Sequence, residues 1–286
     1  MKKILITGGN GFFCTRFFKQ YKCKYNILSL SRQELDVTNE IEVMNKISSF
    51  KPDYVIHAAA IANTNFCNEN PNKAYDVNVV GSLNIGKACK KNNSKLIFIS
   101  TEQVFNGNEE AGPYTESHKP IPNTVYGENK LEAENLLKNL LNDMWILRFT
   151  WLFGLPERNC GMSANILWDT SKNILNDTKC LVSTQEYRGL TYVYDVIDQF
   201  PKIFDLPYGT YHVGSHNNLS RYDISLLIFK YLNLETKADN LLIPDNKKYK
   251  ENPRDIRLST DKLKSYGFKF MDSKDSLKKC IEEFKL

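Results

Sequence analysis

The chain opens on a strand, a glycine turn and a helix, and that order constrains the fold more than any other stretch. Residues 3–7 form a short apolar run with the period of a buried strand. Gly8-Gly9-Asn10-Gly11 follows at once, and residues 12–18 then read as a helix. Glycines there let the backbone turn tightly and approach a pyrophosphate, which the free N–H groups of the helix N-terminus would meet. The spacing is Gly8-x-x-Gly11-x-x-Cys14, with Cys14 where a third glycine would allow close helix–strand packing. An ordinary βα turn has the same three parts, so the turn speaks to fold class before it speaks to a ligand.

The pattern repeats. Residues 25–31 predict a second strand, ending in Ser31-Arg32 with no acid. An acid at that place would bind the ribose 2′-hydroxyl of NAD, whereas an arginine can hold a 2′-phosphate; Ser31 and Arg32 therefore lean towards NADPH, with an exposed Arg32 as the alternative. Residues 52–57 predict a third strand, running into Ala58-Ala59-Ala60, whose small side chains let backbone pass close to a ligand. His57 reads as a structural histidine at a strand end rather than a base. Asn70-Pro71 starts a helix whose buried stripe is Ala74, Val77, Gly81, Ile85 and Ala88, with Asn78 beside it, placed to bond neighbouring backbone. Residues 96–101 and 144–150 predict two further strands, with a polar, Gly- and Pro-rich loop over 106–122 and a helix capped by Asn123 or Thr124 between them.

Five strands alternating with helices predict an α/β, Rossmann-type doubly wound parallel sheet whose ligands lie at the carboxyl ends of the strands. After Gly154 the alternation loosens. The expected division is a dinucleotide-binding domain over 1–151, with 191–214 returning to it, and a smaller C-terminal substrate-binding lobe from 152–190 and 215–286.

At one of these strand ends stands Thr101. Tyr126 and Lys130, four apart, share one face of the helix that follows. A hydroxyl, a phenol and an ammonium brought together can protonate a carbonyl oxygen while a hydride attacks its carbon. The remaining composition narrows the partners. A net charge of +5, with lysines spread rather than blocked, leaves no nucleic-acid footprint but suits an anionic small substrate. Seven scattered cysteines, with no C-x-x-C pair and no zinc spacing, predict free thiols in a reducing cytoplasm and no metal. The apolar start is broken at Thr7, which argues against a signal peptide, and no run is long enough to cross a membrane.

Together, residues 6–11, 35–38, 52–60, Asn78, 99–101, 104–107, 113–114, 125–130 and 147–154, with a weaker match over 252–263, resemble the extended short-chain dehydrogenase/reductase superfamily and, within it, the dTDP-4-dehydrorhamnose reductase family. The resemblance implies NADPH- or NADH-dependent reduction of a 4-keto group on a nucleotide-linked 6-deoxysugar, for surface polysaccharide synthesis, by a monomer or homodimer. Thr101 would orient the keto oxygen, Tyr126 would be the acid, and Lys130 would lower the phenol pKa and hold the nicotinamide ribose. Gly8, Asn10, Gly11, Phe12, Phe13, Ser31, Arg32, Asp36, Val37, Ala58, Ala59, Ala60 and Asn78 would complete the cofactor site. Glu102 and Gln103, which stand where the family usually has Asp and Tyr, would face the sugar with Trp151, Arg188 and Arg254. Two alternatives remain: a bifunctional epimerase/reductase, whose extra acid–base pair would have to come from residues such as Cys67 or His57, and a non-catalytic NAD(P)-binding subunit, since the regulatory subunit of methionine adenosyltransferase resembles the same family.

Overall fold

In the computed structural model, which describes residues 1–284, strand and helix alternate through the first half of the chain. The order is β1 (Lys3–Thr7), α1 (Phe12–Tyr21), β2 (Asn26–Leu30), α2 (Glu40–Phe50), β3 (Tyr54–His57), α3 (Thr64–Glu69), α4 (Pro71–Tyr75), α5 (Gly81–Asn92), β4 (Lys95–Thr101), α6 (Val125–Leu140) and β5 (Met144–Phe149). The second half is more broken: β6 (Trp151–Phe153), α7 (Ile166–Leu175), β7 (Cys180–Ser183), β8 (Glu186–Tyr187), β9 (Leu190–Tyr192), α8 (Val193–Gln199), β10 (Gly209–Val213), α9 (Arg221–Tyr231), α10 (Glu235–Leu241), β11 (Leu242–Asp245), β12 (Arg254–Asp255), α11 (Asp261–Ser265) and α12 (Ser273–Glu283).

β1, β2, β3, β4, β5 and β10 form one parallel sheet in the order β10-β5-β4-β3-β1-β2. Strand alternation divides the core between its two faces. Ile4, Ile6, Ile56, Ile97, Trp145 and Leu147 join the cluster under α1 and α8, with Phe13, Phe17 and Phe200. Leu5, Val55, Leu96, Phe98 and Ile146 join the cluster under α2, α5 and α6, with Val43, Ile47, Ile85, Ala133 and Leu137. Buried on both faces, the strands read as continuous apolar runs, as an all-parallel sheet requires. This is the doubly wound architecture expected, with β10 as a sixth strand. β6, β7, β8, β9, β11 and β12 pair only in twos, outside the main sheet.

The winding reverses at β1: the chain goes to β2 on one side and β3 on the other. A crevice opens at such a switch point, at the carboxyl ends of the strands. α4 runs into α5 through one wide turn, Asp76–Val80, with i→i+5 bonding. That turn carries Asn78 inward, fully buried.

Two histidines are sealed into this frame as neutral rings. Ser82 Oγ donates to the Asn78 carbonyl (2.6 Å), so it accepts from His57 Nε2 (2.9 Å), and His57 Nδ1 accepts from Thr7 Oγ1 (2.7 Å). His212 Nδ1 donates to the Tyr114 carbonyl (3.1 Å) and its Nε2 faces Arg148 (3.4 Å), which cannot accept. Burial, aided by Lys130 at His57 and by Arg148 at His212, pushes both rings down to about 3. Because each folded value lies below the unfolded one, near 6.5, this stability is complete above about pH 6.5 and is lost as the pH falls towards 3. Urea midpoints measured from pH 7 to 5 are expected to fall, with each histidine contributing up to about 1.4 kcal/mol per pH unit, and His212→Asn should flatten the slope; a flat profile in the wild type would contradict the assignment.

Candidate active site

Gly8 leaves β1 with φ +71°, and a Cβ there would lie 2.8 Å from Ala59 N, the backbone leaving β3. The two strand ends therefore meet as bare backbone, which only glycine allows. Beside them lies a cleft of about 170 Å³ lined by Gly8, Arg32, Leu35, Asp36, Val37, Ala59, Ala60, Ile61 and Val77. Asn78 sets the far wall, its amide bonding both N–H (2.8 Å) and C=O (3.0 Å) of Ile61. Gly11 N–H closes the turn onto Gly8 O (2.8 Å), and the first turn of α1, with its unpaired N–H groups, follows directly. A glycine cradle at a helix N-terminus, opening into a narrow apolar cleft, fits a dinucleotide. Phe12 and Phe13, expected at the cofactor, send their rings elsewhere: Phe13 packs on Phe17, Phe149 and Phe200, and Phe12 lies under Arg16. Only their backbone faces the turn. Ser31 is likewise engaged, its N–H (2.8 Å) and hydroxyl (2.7 Å) both donating to Glu34.

A strap from the second half, residues 155–164, crosses the glycine turn. A side chain at Gly161 would run into the Asn10 carbonyl, and Gly161 N–H bonds Thr15 Oγ1 (3.0 Å). Arg16, fully buried in α1, holds the strap from below through the carbonyls of Leu155 (2.9 Å) and Gly161 (2.7 Å) and the Glu157 carboxylate (2.8 Å). Lys19 and Tyr194 also bond Glu157.

Thr101 ends β4, and Thr124 caps α6 by accepting from Gly127 N–H (3.1 Å), which starts the helix so that Tyr126 and Lys130 face that strand end. Tyr126 therefore faces Thr101, and Lys130 follows one turn along the same helix. Burial pushes the Tyr126 phenol up to about 12, with the facing Thr101 hydroxyl pulling it down and Cys67 and Glu102 adding to the rise. Thr101, rather than Lys130, supplies the lowering. Lys130 is itself 2% exposed, lies 3.8 Å over the Phe98 ring, and is pushed down to about 7 by burial. Among the described residues its opposing charge is Glu134, one helical turn on. That carboxylate, fully buried, accepts from Ser100 Oγ (2.6 Å) and, through both oxygens, from Arg148 (2.9 and 2.6 Å).

Beyond Thr101 lies a knot of charge. Glu102, 1% exposed, accepts from Arg188 through Oε1 (Nε, 2.8 Å), while its Oε2 has no partner. Glu186, also buried, gathers Arg254 (2.6 Å) and Arg221 (3.2 Å), with Arg188 at 3.9 Å. Arg254 reaches Gln103 (3.2 Å) and Asn106 (2.6 Å) as well. The Trp151 ring lies under Arg188 (4.5 Å) and Arg221 (5.5 Å). Arg188 and Arg254 are thus tethered rather than free on the surface, yet three arginines face two carboxylates, which leaves one net positive charge. Sequence reasoning missed Glu34, Glu134, Glu186 and the Arg16 clasp. Only Glu134 left a signal, since it continues the four-residue spacing of Tyr126 and Lys130.

The model of one family, the RmlD substrate binding domain, matches residues 1–286. The chain belongs to that family. It is 32% identical to a dTDP-4-dehydrorhamnose reductase of Aggregatibacter actinomycetemcomitans, over 80% of this chain and 79% of that one. It is 25% identical to the spore coat polysaccharide biosynthesis protein SpsK of Bacillus subtilis (strain 168), over 99% and 98%. Among solved structures it superposes on a dTDP-4-dehydrorhamnose reductase of Bacillus anthracis in complex with NADP, with a TM-score of 0.88, 25% identity and 99% of each chain covered. These matches agree with the resemblance read from the sequence. Among the described residues no group of His, Cys, Asp and Glu is arranged to hold a metal ion, and no helix is long and apolar enough to cross a membrane.

The buried ammonium is expected to cost stability. Because its folded pKa lies far below the unfolded one, Lys130→Met should stabilise the fold at pH 7 by about 1–2 kcal/mol, read as a rise in urea midpoint. Glu134→Gln should do the reverse, costing about 3–5 kcal/mol by leaving Arg148 buried without its carboxylate. Equal midpoints in both variants would refute this account of the site.

Proposed function

We propose that the chain is an NAD(P)H-dependent reductase of a nucleotide-linked 4-keto-6-deoxysugar, acting in surface polysaccharide synthesis. The observation that supports this reading is Tyr126 facing Thr101 at the end of β4, with Lys130 one turn on, in a chain that also carries a dinucleotide-shaped cleft and a net-positive pocket walled by Trp151. The names of the relatives support the substrate class.

Gly8, Gly11 and the first turn of α1 would hold the pyrophosphate, and Arg32, Asp36, Val37 and residues 58–61 the adenosine half. A reduced nicotinamide held there supplies the hydride. Thr101 donates a hydrogen bond to the keto oxygen, and Tyr126 gives its proton to that oxygen as negative charge develops on it. A phenol kept high by burial remains protonated, and so remains an acid, throughout the working pH range. Lys130, one turn along α6, would offset the phenolate left after transfer, a task it performs only while charged; Glu134 favours that state. Arg188, Arg221 and Arg254 present guanidinium groups to a diphosphate, and Trp151 offers an apolar wall to a 6-deoxysugar or a base.

Tyr126→Phe should lower kcat by about 10²–10⁴-fold while the affinity for the dinucleotide stays within a few-fold. The assay is the loss of nicotinamide absorbance with a panel of dTDP-, UDP- and GDP-linked 4-keto-6-deoxysugars. Turnover unchanged in the variant would overturn the mechanism. Tight dinucleotide binding with no turnover on any sugar would favour a binding subunit instead.

A further inference from the structure

We propose that Glu102 takes up a proton when an anionic substrate docks on Arg188, so that this site binds its sugar nucleotide together with a proton from solvent. The inference rests on the reading above, in which the three arginines receive a diphosphate.

Glu102 and Glu186 are sealed from solvent, whereas the side chains of Arg188, Arg254 and Arg221 remain partly exposed. An arriving anion therefore meets guanidinium edges, with the carboxylates behind them. The two carboxylates are not held alike. Glu186 is met on both oxygens, Oε1 by Arg254 (2.6 Å) and Oε2 by Arg221 (3.2 Å). Burial alone would raise its carboxyl, and Arg254, Arg188 and Arg221 together hold it below the usual range. Glu102 is met on one oxygen only. Arg188 Nε (2.8 Å) and Nη2 both donate to Oε1, and Oε2, enclosed, accepts from no described residue. A buried, ionised oxygen without a donor is costly, and the same oxygen protonated costs less. Burial accordingly holds the Glu102 carboxyl above the usual range, against the pull of Arg188 and Arg254 and with Glu186 adding to the rise.

The charge count decides where a proton goes. Three guanidinium groups and two carboxylates leave one net positive charge. A diphosphate diester brings two negative charges at every pH near neutrality, so the filled site would hold one net negative charge. An uncompensated charge in a water-excluded site is neutralised when a titratable group is at hand. Arg188 directs two of its five N–H donors to Glu102, which leaves three for phosphate oxygens. A phosphate that shares Arg188 weakens the counter-ion of Glu102, and Oε2 gains the proton; one O–H bond forms, and the proton comes from water. The other groups facing Glu102 are Glu186 of β8, which two arginines bind, Arg254 of β12, and Tyr126 of α6, whose phenol is already protonated. Lys130 of α6, pushed down to about 7 by burial, is a second group able to gain a proton, so the test separates the two.

Calorimetric titration of the intact protein with dTDP-glucose, UDP-glucose and GDP-mannose is the test. These probes carry the diphosphate but no ketone, so NADH can be present without reacting, and their phosphates do not titrate near neutrality. At pH 7 the binding enthalpy is expected to vary with the ionisation enthalpy of the buffer across PIPES, HEPES and Tris, with a slope of up to about one proton taken up per sugar nucleotide. The affinity should fall by up to about tenfold per pH unit as the pH rises above 7. Glu102→Gln, which keeps the shape and an acceptor for Arg188 but cannot gain a proton, should bind with an enthalpy independent of buffer and an affinity independent of pH. Lys130→Met should keep the uptake. A wild-type enthalpy that is the same in every buffer, or uptake that survives Glu102→Gln, would overturn the inference and leave the reductase reading standing. Failure of the folded protein to bind any of the three would overturn both.

Discussion

The candidate site depends on one buried carboxylate. Glu134 sits between α6 and the sheet, and its two oxygens take Arg148 from β5 and Ser100 from β4. It thereby fixes the rotation of α6 about its own axis, because a helix bonded on one side to two adjacent strands can present only one face to them. Tyr126 and Lys130 lie on that face, two turns and one turn earlier. The helix also brings Lys130 under cover, where an ammonium is costly to keep charged. Aiming Glu134 wholly at Lys130 would have secured its charge but released Arg148. The arrangement instead divides a single negative group between holding the helix and favouring the charged lysine, and burial outweighs that share, which keeps the Lys130 pKa low.

Much of this was legible from residue order alone, for a definite reason. A parallel sheet buries both faces of its strands, so each strand is written as an unbroken apolar run, and the turns at the carboxyl ends carry the small residues that ligands require. Gly8, Ala58 to Ala60 and Thr101 could be assigned to one edge without knowing any contact. Tyr126 and Lys130 followed from helix spacing. What could not be read were groups whose roles arise from partners far along the chain. Arg16 meets Glu157, 141 positions away, and Glu102 meets Arg188, 86 positions away. Periodicity does not encode such pairs. Glu34 escaped for a different reason: it lies on an exposed turn, and its bonds back to Ser31 leave no mark on any period.

The charge knot beside Thr101 illustrates how a site can be attractive to anions without an exposed basic patch. Glu102 and Glu186 hold the guanidinium groups in place, and a network with one net positive charge attracts an anion while losing little side-chain entropy when it binds. The unpartnered Glu102 oxygen within it is an acceptor held ready at low dielectric, which is costly in the free protein.

The Arg16 clasp bears on modularity. Expected domain boundaries place α1 in one unit and the strap in another, yet the guanidinium of the first is satisfied by carbonyls of the second. A chain cut after β5 would leave that arginine only the Phe12 carbonyl of its own helix as an acceptor. Exchanging the C-terminal lobe for that of a relative, to graft a new sugar specificity, would have to leave residues 155–162 with the recipient. The boundary at which this protein can be recombined therefore runs through a loop, several residues beyond the last strand that the sheet would suggest.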